Sequence, residues 1–204
     1  MLREWIDGVI AGILVSIGGM VFLSCDNRYV GAILFSVALL CICVKGYALF
    51  TGRVGFIPEK HGKKDWRNLG LALLGNIVGT FAVGGLLRGT LPGAAAVSET
   101  LCAAKLTQQT LHTLIRAGFC GILMYLAVST YKEGKTLAGI FFCVPVFILS
   151  GFEHSVADMF YFAMAGMITG TSLFYLTVVI VGNAIGGMLL PALRMLGKAE
   201  RKNG

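Results

Sequence analysis

The sequence predicts an all-α membrane protein of six transmembrane helices, arranged as two inverted three-helix repeats with the second and fifth helices interrupted. Three observations lead there. Hydrophobic residues make up 56% of the 204 and charged residues only 13%, against about 45–50% and about 25% in soluble domains. Six apolar runs each reach the ~20 residues that a spanning helix needs. Finally, Gly75-Asn76-Ile77-Val78-Gly79 returns 107 residues later as Gly182-Asn183-Ala184-Ile185-Gly186.

The first run covers residues 5–24. Arg3 ahead of it and Ser24-Cys25 behind it faintly resemble a secretion signal, but Glu4 and Asp7 spoil the positive region and Phe22 takes the usual leucine place, so the run is read as a retained span. The second, 29–57, is longer than necessary and is broken around Lys45-Gly46. The third, 68–87, carries the first Gly-Asn motif. A connection from Arg88 to Thr110 opens on the turn signal Leu91-Pro92-Gly93 and continues in an Ala-rich stretch suited to a short surface helix. The fourth run is 111–130; the fifth, 136–168, is interrupted at Ser150-Gly151; the sixth, 171–193, carries the second Gly-Asn motif.

Sidedness follows from the cations. Arg3, Arg53, Lys60, Lys63, Lys64, Arg67, Lys132, Lys135, Arg194, Lys198, Arg201 and Lys202 fall on one side, and Arg28, Arg88 and Lys105 on the other. The positive-inside rule then places both termini in the cytoplasm of a multi-pass protein of the cell (inner) membrane. The net charge of +7 lies in these short connections rather than on a basic face interleaved with aromatics, which excludes nucleic acid as a partner.

Four of the six cysteines, Cys41, Cys43, Cys120 and Cys143, sit inside apolar runs, where a thiol acts as a small hydrophobe. Cys25 and Cys102 are the pair near loops of one side, and are the candidates for a disulfide. The three histidines, His61, His112 and His154, lie in separate segments without metal-binding spacing. No nucleophile, phosphate-loop or dinucleotide motif occurs. The expectation is therefore no enzyme, no metal and no cofactor.

The repeat has a second strand of support. Ala11-Gly12 matches Ala117-Gly118 at a shift of 106, close to the 107 of the Gly-Asn motifs. Halves of about 1–90 and 108–204 form a single transmembrane domain over 1–204, and three spans per half force the second half to start from the opposite side. Inverted repeats of this kind place a substrate path at their interface, marked by interrupted helices in corresponding positions. Breaking a helix in lipid leaves backbone groups unpaired unless protein or a watery cavity receives them.

Ser150-Gly151-Phe152-Glu153-His154-Ser155-Val156-Ala157-Asp158-Met159-Phe160-Tyr161-Phe162 resembles the fifth-helix signature of the formate/nitrite transporter family. Leu49-Phe50-Thr51-Gly52 is similar to the loop that interrupts that family's second helix, and the paired Gly-Asn motifs agree. The resemblance spans nearly the whole chain. It implies an aquaporin-like fold, a homopentamer in the lipid bilayer, and one pore per protomer for a small monovalent anion such as formate, nitrite or hydrosulfide, with a proton as co-partner. It places His154 and Thr51 at the pore centre, Leu49, Phe50 and Phe147 at hydrophobic constrictions, and Lys105 and Arg3 as attractors of the anion. Departures from the family pattern are Ala48 before the Leu-Phe-Thr element, Gly121 in the fourth helix and Asp158 four residues after the histidine.

A bare anion is costly at the bilayer centre. A histidine, with an ordinary pKa of ~6.5, suits a path in which the anion is neutralised before crossing. Glu153, adjacent to His154, is read as a charge-pairing support, and Asp158, one helical turn on, as sharing the histidine's face; Asn76 and Asn183 are supporting residues. A pore for neutral solutes such as water or glycerol is the alternative, although no Asn-Pro-Ala motif occurs.

Overall fold

The computed structural model describes residues 1–60 and 62–203, except for the side chains of Lys60 and of residues 199–203. His61 lies outside the described residues, as do the side chains of Lys60, Arg201 and Lys202 that entered the charge count. The described chain is helical throughout, with α1 over Leu2–Ser24, α2 over Arg28–Lys45, α3 over Phe50–Arg53, a 3-10 turn over Val54–Phe56, and α4 over Ile57–Lys60. Then come α5 (Lys63–Thr90), α6 (Pro92–Leu106), α7 (Thr110–Gly134), α8 (Ala138–Leu149), α9 (Ser155–Ala165) and α10 (Gly170–Asn203). Among the described residues, α1, α2, α5, α7 and α10 are long and apolar enough to cross a membrane, while α8 and α9 are shorter apolar helices.

Local chemistry sets these boundaries. Asn27 caps α2, its side chain accepting from the amides of Tyr29 (2.9 Å) and Val30 (3.2 Å), which satisfies two of the donors that a helix start leaves unpaired. Gly46 ends α2 at φ +76°, a left-handed conformation that costs glycine nothing. Pro92 opens α6, where its missing amide hydrogen is no loss. Lys45 is exposed in the last turn of α2, next to the helix's negative end.

The repeated glycines explain the tightest packing. In α5, Gly75 and Gly79 lie against the backbone of α1 around Trp5, Val9 and Gly12; in α10, Gly182 and Gly186 lie against α7 around Leu114 and Gly118. A Cβ at these positions would strike main-chain atoms, so no side chain can yield to make room. α1 pairs with α5, and α7 with α10, by the same device. α2 lies beside α1 and α8, and α9 is enclosed by α1, α5, α6 and α10. The outer surface is apolar, with Ile13, Ile33, Val37, Phe142, Phe174 and Ile185 exposed.

One expectation changes. The Arg88–Thr110 connection is not simply a surface helix: α6 buries Ala95, Ser98, Cys102 and Lys105 against α9. Cys25 and Cys102 are both free thiols. Cys102 is buried within the core, whereas Cys25 bonds to the Asn27 carbonyl at 3.3 Å.

Candidate functional site

Between α2 and α3, residues 46–49 have no helical ladder, and residues 150–154 are likewise irregular between α8 and α9. Each segment is tied down by one asparagine. The Asn76 carboxamide accepts from the Phe50 amide at 2.9 Å and donates to the Gly8 and Ala48 carbonyls at 2.8 and 2.9 Å. Asn183 accepts from the Ser155 amide at 2.8 Å and donates to the Ala117 and Glu153 carbonyls, both at 2.8 Å. Both asparagines are fully buried. They return to the broken ladders the hydrogen bonds that lipid cannot supply. Replacing Asn183 with alanine leaves three buried backbone groups without that partner, each worth about 1–3 kcal/mol. The variant should therefore show a large fall in thermal midpoint in detergent, whereas an alanine at exposed Gln109 should change it little.

The two irregular segments meet through side chains. Thr51 Oγ1 lies 2.8 Å from His154 Nε2, with both residues buried. His154 is the N-cap of α9 and its Nδ1 accepts from the Ala157 amide at 3.1 Å. With Nδ1 accepting, the ring proton sits on Nε2, so the imidazole donates to the threonine oxygen and the Thr51 hydroxyl hydrogen is left to point elsewhere. Phe147 stacks on the imidazole with ring centroids 5.4 Å apart and meets Phe35 edge-on at 6.1 Å.

Cavities open at both ends of the helix bundle. One, of about 330 Å³, is lined by Leu49, Gly52, Arg53, Tyr131 and Lys132, with Glu4 at its edge. The other, of about 180 Å³, is lined by Phe147, His154, Asp158, Lys105, Arg28 and Arg116. Leu49 and Phe147 thus face opposite cavities, with the Thr51–His154 pair between them. Phe50 lines neither; it is buried in a cluster with Val54, Ile57 and Leu69.

Lys105 is drawn inward. Its ammonium forms ion pairs with Glu153 and with Asp158, the latter at 3.0 Å, and Gln108 donates to the other Glu153 oxygen at 2.9 Å. Both carboxylates are almost wholly buried. One cation therefore serves two acids, and the second Asp158 oxygen has no hydrogen-bond partner. Arg3 stands at the exposed start of α1, 3.7 Å from Asp7, and lines neither cavity. The cations at that mouth are instead Arg53, which is paired with Glu4, and Lys132, whose ammonium lies over the Phe56 ring.

Sequence reasoning overlooked Arg53, Lys132, Gln108 and Arg116 as cavity residues. For Arg116 there was a signal: an arginine inside an apolar run is rarely idle. For the others only the folded geometry reveals the placement. Among the described residues, no group of three or more histidine, cysteine and acidic side chains is arranged to hold a metal ion.

Comparison with known proteins gives a consistent picture. The formate/nitrite transporter family profile matches residues 1–196. The chain is 30% identical over 189 residues to the nitrite transporter NirC of Salmonella typhimurium, covering 80% of this chain and 68% of that protein. It is 29% identical over 190 residues to the formate channel FocA of Escherichia coli K12, covering 80% of this chain and 66% of that protein. Among solved structures, an FNT family ion channel superposes with a TM-score of 0.83 at 26% identity, covering 97% of this chain and 90% of the other. A pentameric formate channel with formate bound superposes at 0.80 with 21% identity, covering 96% of each chain, a likeness of fold.

Proposed function

The chain belongs to the formate/nitrite transporter family, a family of channels and transporters and not of enzymes, and on that premise we propose that it carries a small monovalent anion of a weak acid, formate or nitrite before hydrosulfide, across the cell (inner) membrane. The observation that carries this reading is the Thr51–His154 contact, buried between two cavities and walled by Leu49 and Phe147. An anion reaching the imidazole from the Phe147 side can draw the Nε2–H away from Thr51 Oγ1, in a site screened from water. There, a proton taken up from water of the cavity joins the anion and removes the charge that makes crossing costly; it returns to water when the acid ionises on the far side. The neutral acid then passes the apolar walls and ionises again in the far cavity. Phe50, next to Leu49 in the chain, packs with Val54, Ile57 and Leu69 and holds the start of α3 in place.

In this reading, α2 and α3 are the two parts of the second span, and α8 and α9 the two parts of the fifth. The single domain over 1–204 is built from inverted halves, about 1–90 and 108–204, in an aquaporin-like arrangement. The matching roles of Asn76 and Asn183, each bracing one irregular segment to the first helix of its own half, support that symmetry. Both termini lie in the cytoplasm by the charge balance of the connections, and five copies assemble in the bilayer, each with its own path. The exposed apolar flanks of α1, α2 and α8 suit lipid and neighbouring copies.

The test is flux in proteoliposomes. Formate, nitrite and hydrosulfide are supplied in turn at two pH values. The neutral fraction of a weak acid falls about tenfold for each pH unit above its pKa, so uptake at equal total anion should be faster at the lower pH. Rapid osmotic swelling without flux of any of the three anions would replace this reading with that of a neutral-solute pore.

A further inference from the structure

The cavity of about 180 Å³ beside His154 contains more charge than its deepest cation accounts for. Lys105 is bound by Glu153 and Asp158 together. Those three side chains, all ionised, would sum to one negative charge, and the lysine has little field left over for a passing anion. Two further cations line the same cavity. Arg28 is the first residue of α2, and one arm of its guanidinium donates to the Ile148 carbonyl at 3.3 Å. Arg116 projects from α7 and is exposed. Among the described residues no carboxylate lies within 4.0 Å of either guanidinium. The remaining acids near this end are elsewhere engaged or outside the cavity: Glu99 is 3.9 Å from Arg88, and Asp26 is not among the lining residues.

We propose that Arg28 and Arg116, and not Lys105, form the recruiting site at this mouth, and that they select planar anions with two oxygens, such as formate and nitrite, over hydrosulfide. This rests on the anion-transport reading above. A guanidinium presents a planar fork of N–H donors that matches two coplanar oxygens, a geometry that a lysine ammonium lacks and a one-atom anion cannot use. The Arg28 bond to Ile148 holds one guanidinium at the C-terminal end of α8, near Phe147, and still leaves donors for a guest. The two arginines also turn the cavity's formal balance from one negative to one positive charge, so a site that would repel anions attracts them. Arg116 sits six residues beyond the start of α7, roughly 9 Å along the helix axis, where an arginine without a protein carboxylate is retained at a cost that calls for a use.

Two double variants separate fork from charge: Arg28→Lys with Arg116→Lys, and Arg28→Gln with Arg116→Gln. Initial rates are measured in proteoliposomes over a range of formate, nitrite and hydrosulfide concentrations, with folding checked by elution as a single oligomer in detergent. The lysine pair should raise the half-saturating concentration of formate and nitrite about tenfold, equal to about 1.4 kcal/mol, with maximal flux and hydrosulfide half-saturation little changed. The glutamine pair should raise it for all three. If the lysine pair transports formate with the half-saturation of the parent protein, or the glutamine pair leaves it unmoved, the proposal is overturned. Should the glutamine pair not fold, the lysine pair decides alone. A parent protein that moves none of the three anions defeats the transport reading itself, a result distinct from either variant outcome.

Discussion

Replacing His154 with asparagine should cut formate flux by roughly ten- to a hundredfold, the equivalent of losing a hydrogen bond worth about 1.5–3 kcal/mol in a site closed to water. Asparagine is the informative choice because it can still cap α9 by accepting from the Ala157 amide, as His154 Nδ1 does. What it cannot do is reach Thr51 Oγ1 from the Nε2 position, stack on Phe147, or exchange a proton with the guest. His154→Phe complements it, since it keeps an aromatic ring against Phe147 and removes both nitrogens; it should lose a further ~1 kcal/mol of stability with the cap. Flux in both variants should also lose any part of its pH dependence that exceeds the change in neutral acid. Flux and pH profile indistinguishable from the parent in both would remove His154 from the mechanism.

Lys105→Met should have the largest effect on the folded protein. Glu153 and Asp158 are buried with this ammonium between them. Removing one partner of a buried ion pair typically costs about 3–5 kcal/mol, because the charge left behind has neither water nor a counterion. The variant should give little folded protein or a sharply lowered thermal midpoint. Restoring stability by adding Glu153→Gln and Asp158→Asn would assign the loss to the stranded charges. An equally unstable triple variant would assign it to the lost packing of the lysine stem. Asp158→Asn alone removes one acid from a cluster with a surplus of acid and should be tolerated far better than Lys105→Met.

The spans were legible because length and apolar content suffice for them: α1, α5, α7 and α10 contain their expected runs, whereas α2 covers only the first part of the expected 29–57. The irregular segments were legible because Gly46 and Gly151, both at positive φ, are helix punctuation that a reader can see. The Gly-Asn pairs were visible as a repeat, but their use was not: a carboxamide reaching across 26 residues to a backbone amide leaves no local trace. Lys105 illustrates the same difficulty. From its place ahead of the fourth span it reads as an attractor of the anion, and only burial of α6 against α9 brings it to acids 48 and 53 positions away. Phe50 failed to reach a cavity wall for a simpler reason. At the start of a helix, one residue of rotation decides which way a ring points, and α3 turns this one toward Val54 and Leu69.

Every residue of α9 is buried, and the helix has only 11 of them. At 1.5 Å per residue it is about 16 Å long, roughly half the hydrocarbon thickness of a bilayer. Such a segment is too short to cross on its own, and its capping imidazole, Glu153 and Asp158 make it a poor guest for lipid. By length and polarity α9 is not an independent membrane unit. Its place in the bilayer depends on the socket that α1, α5, α6 and α10 build around it.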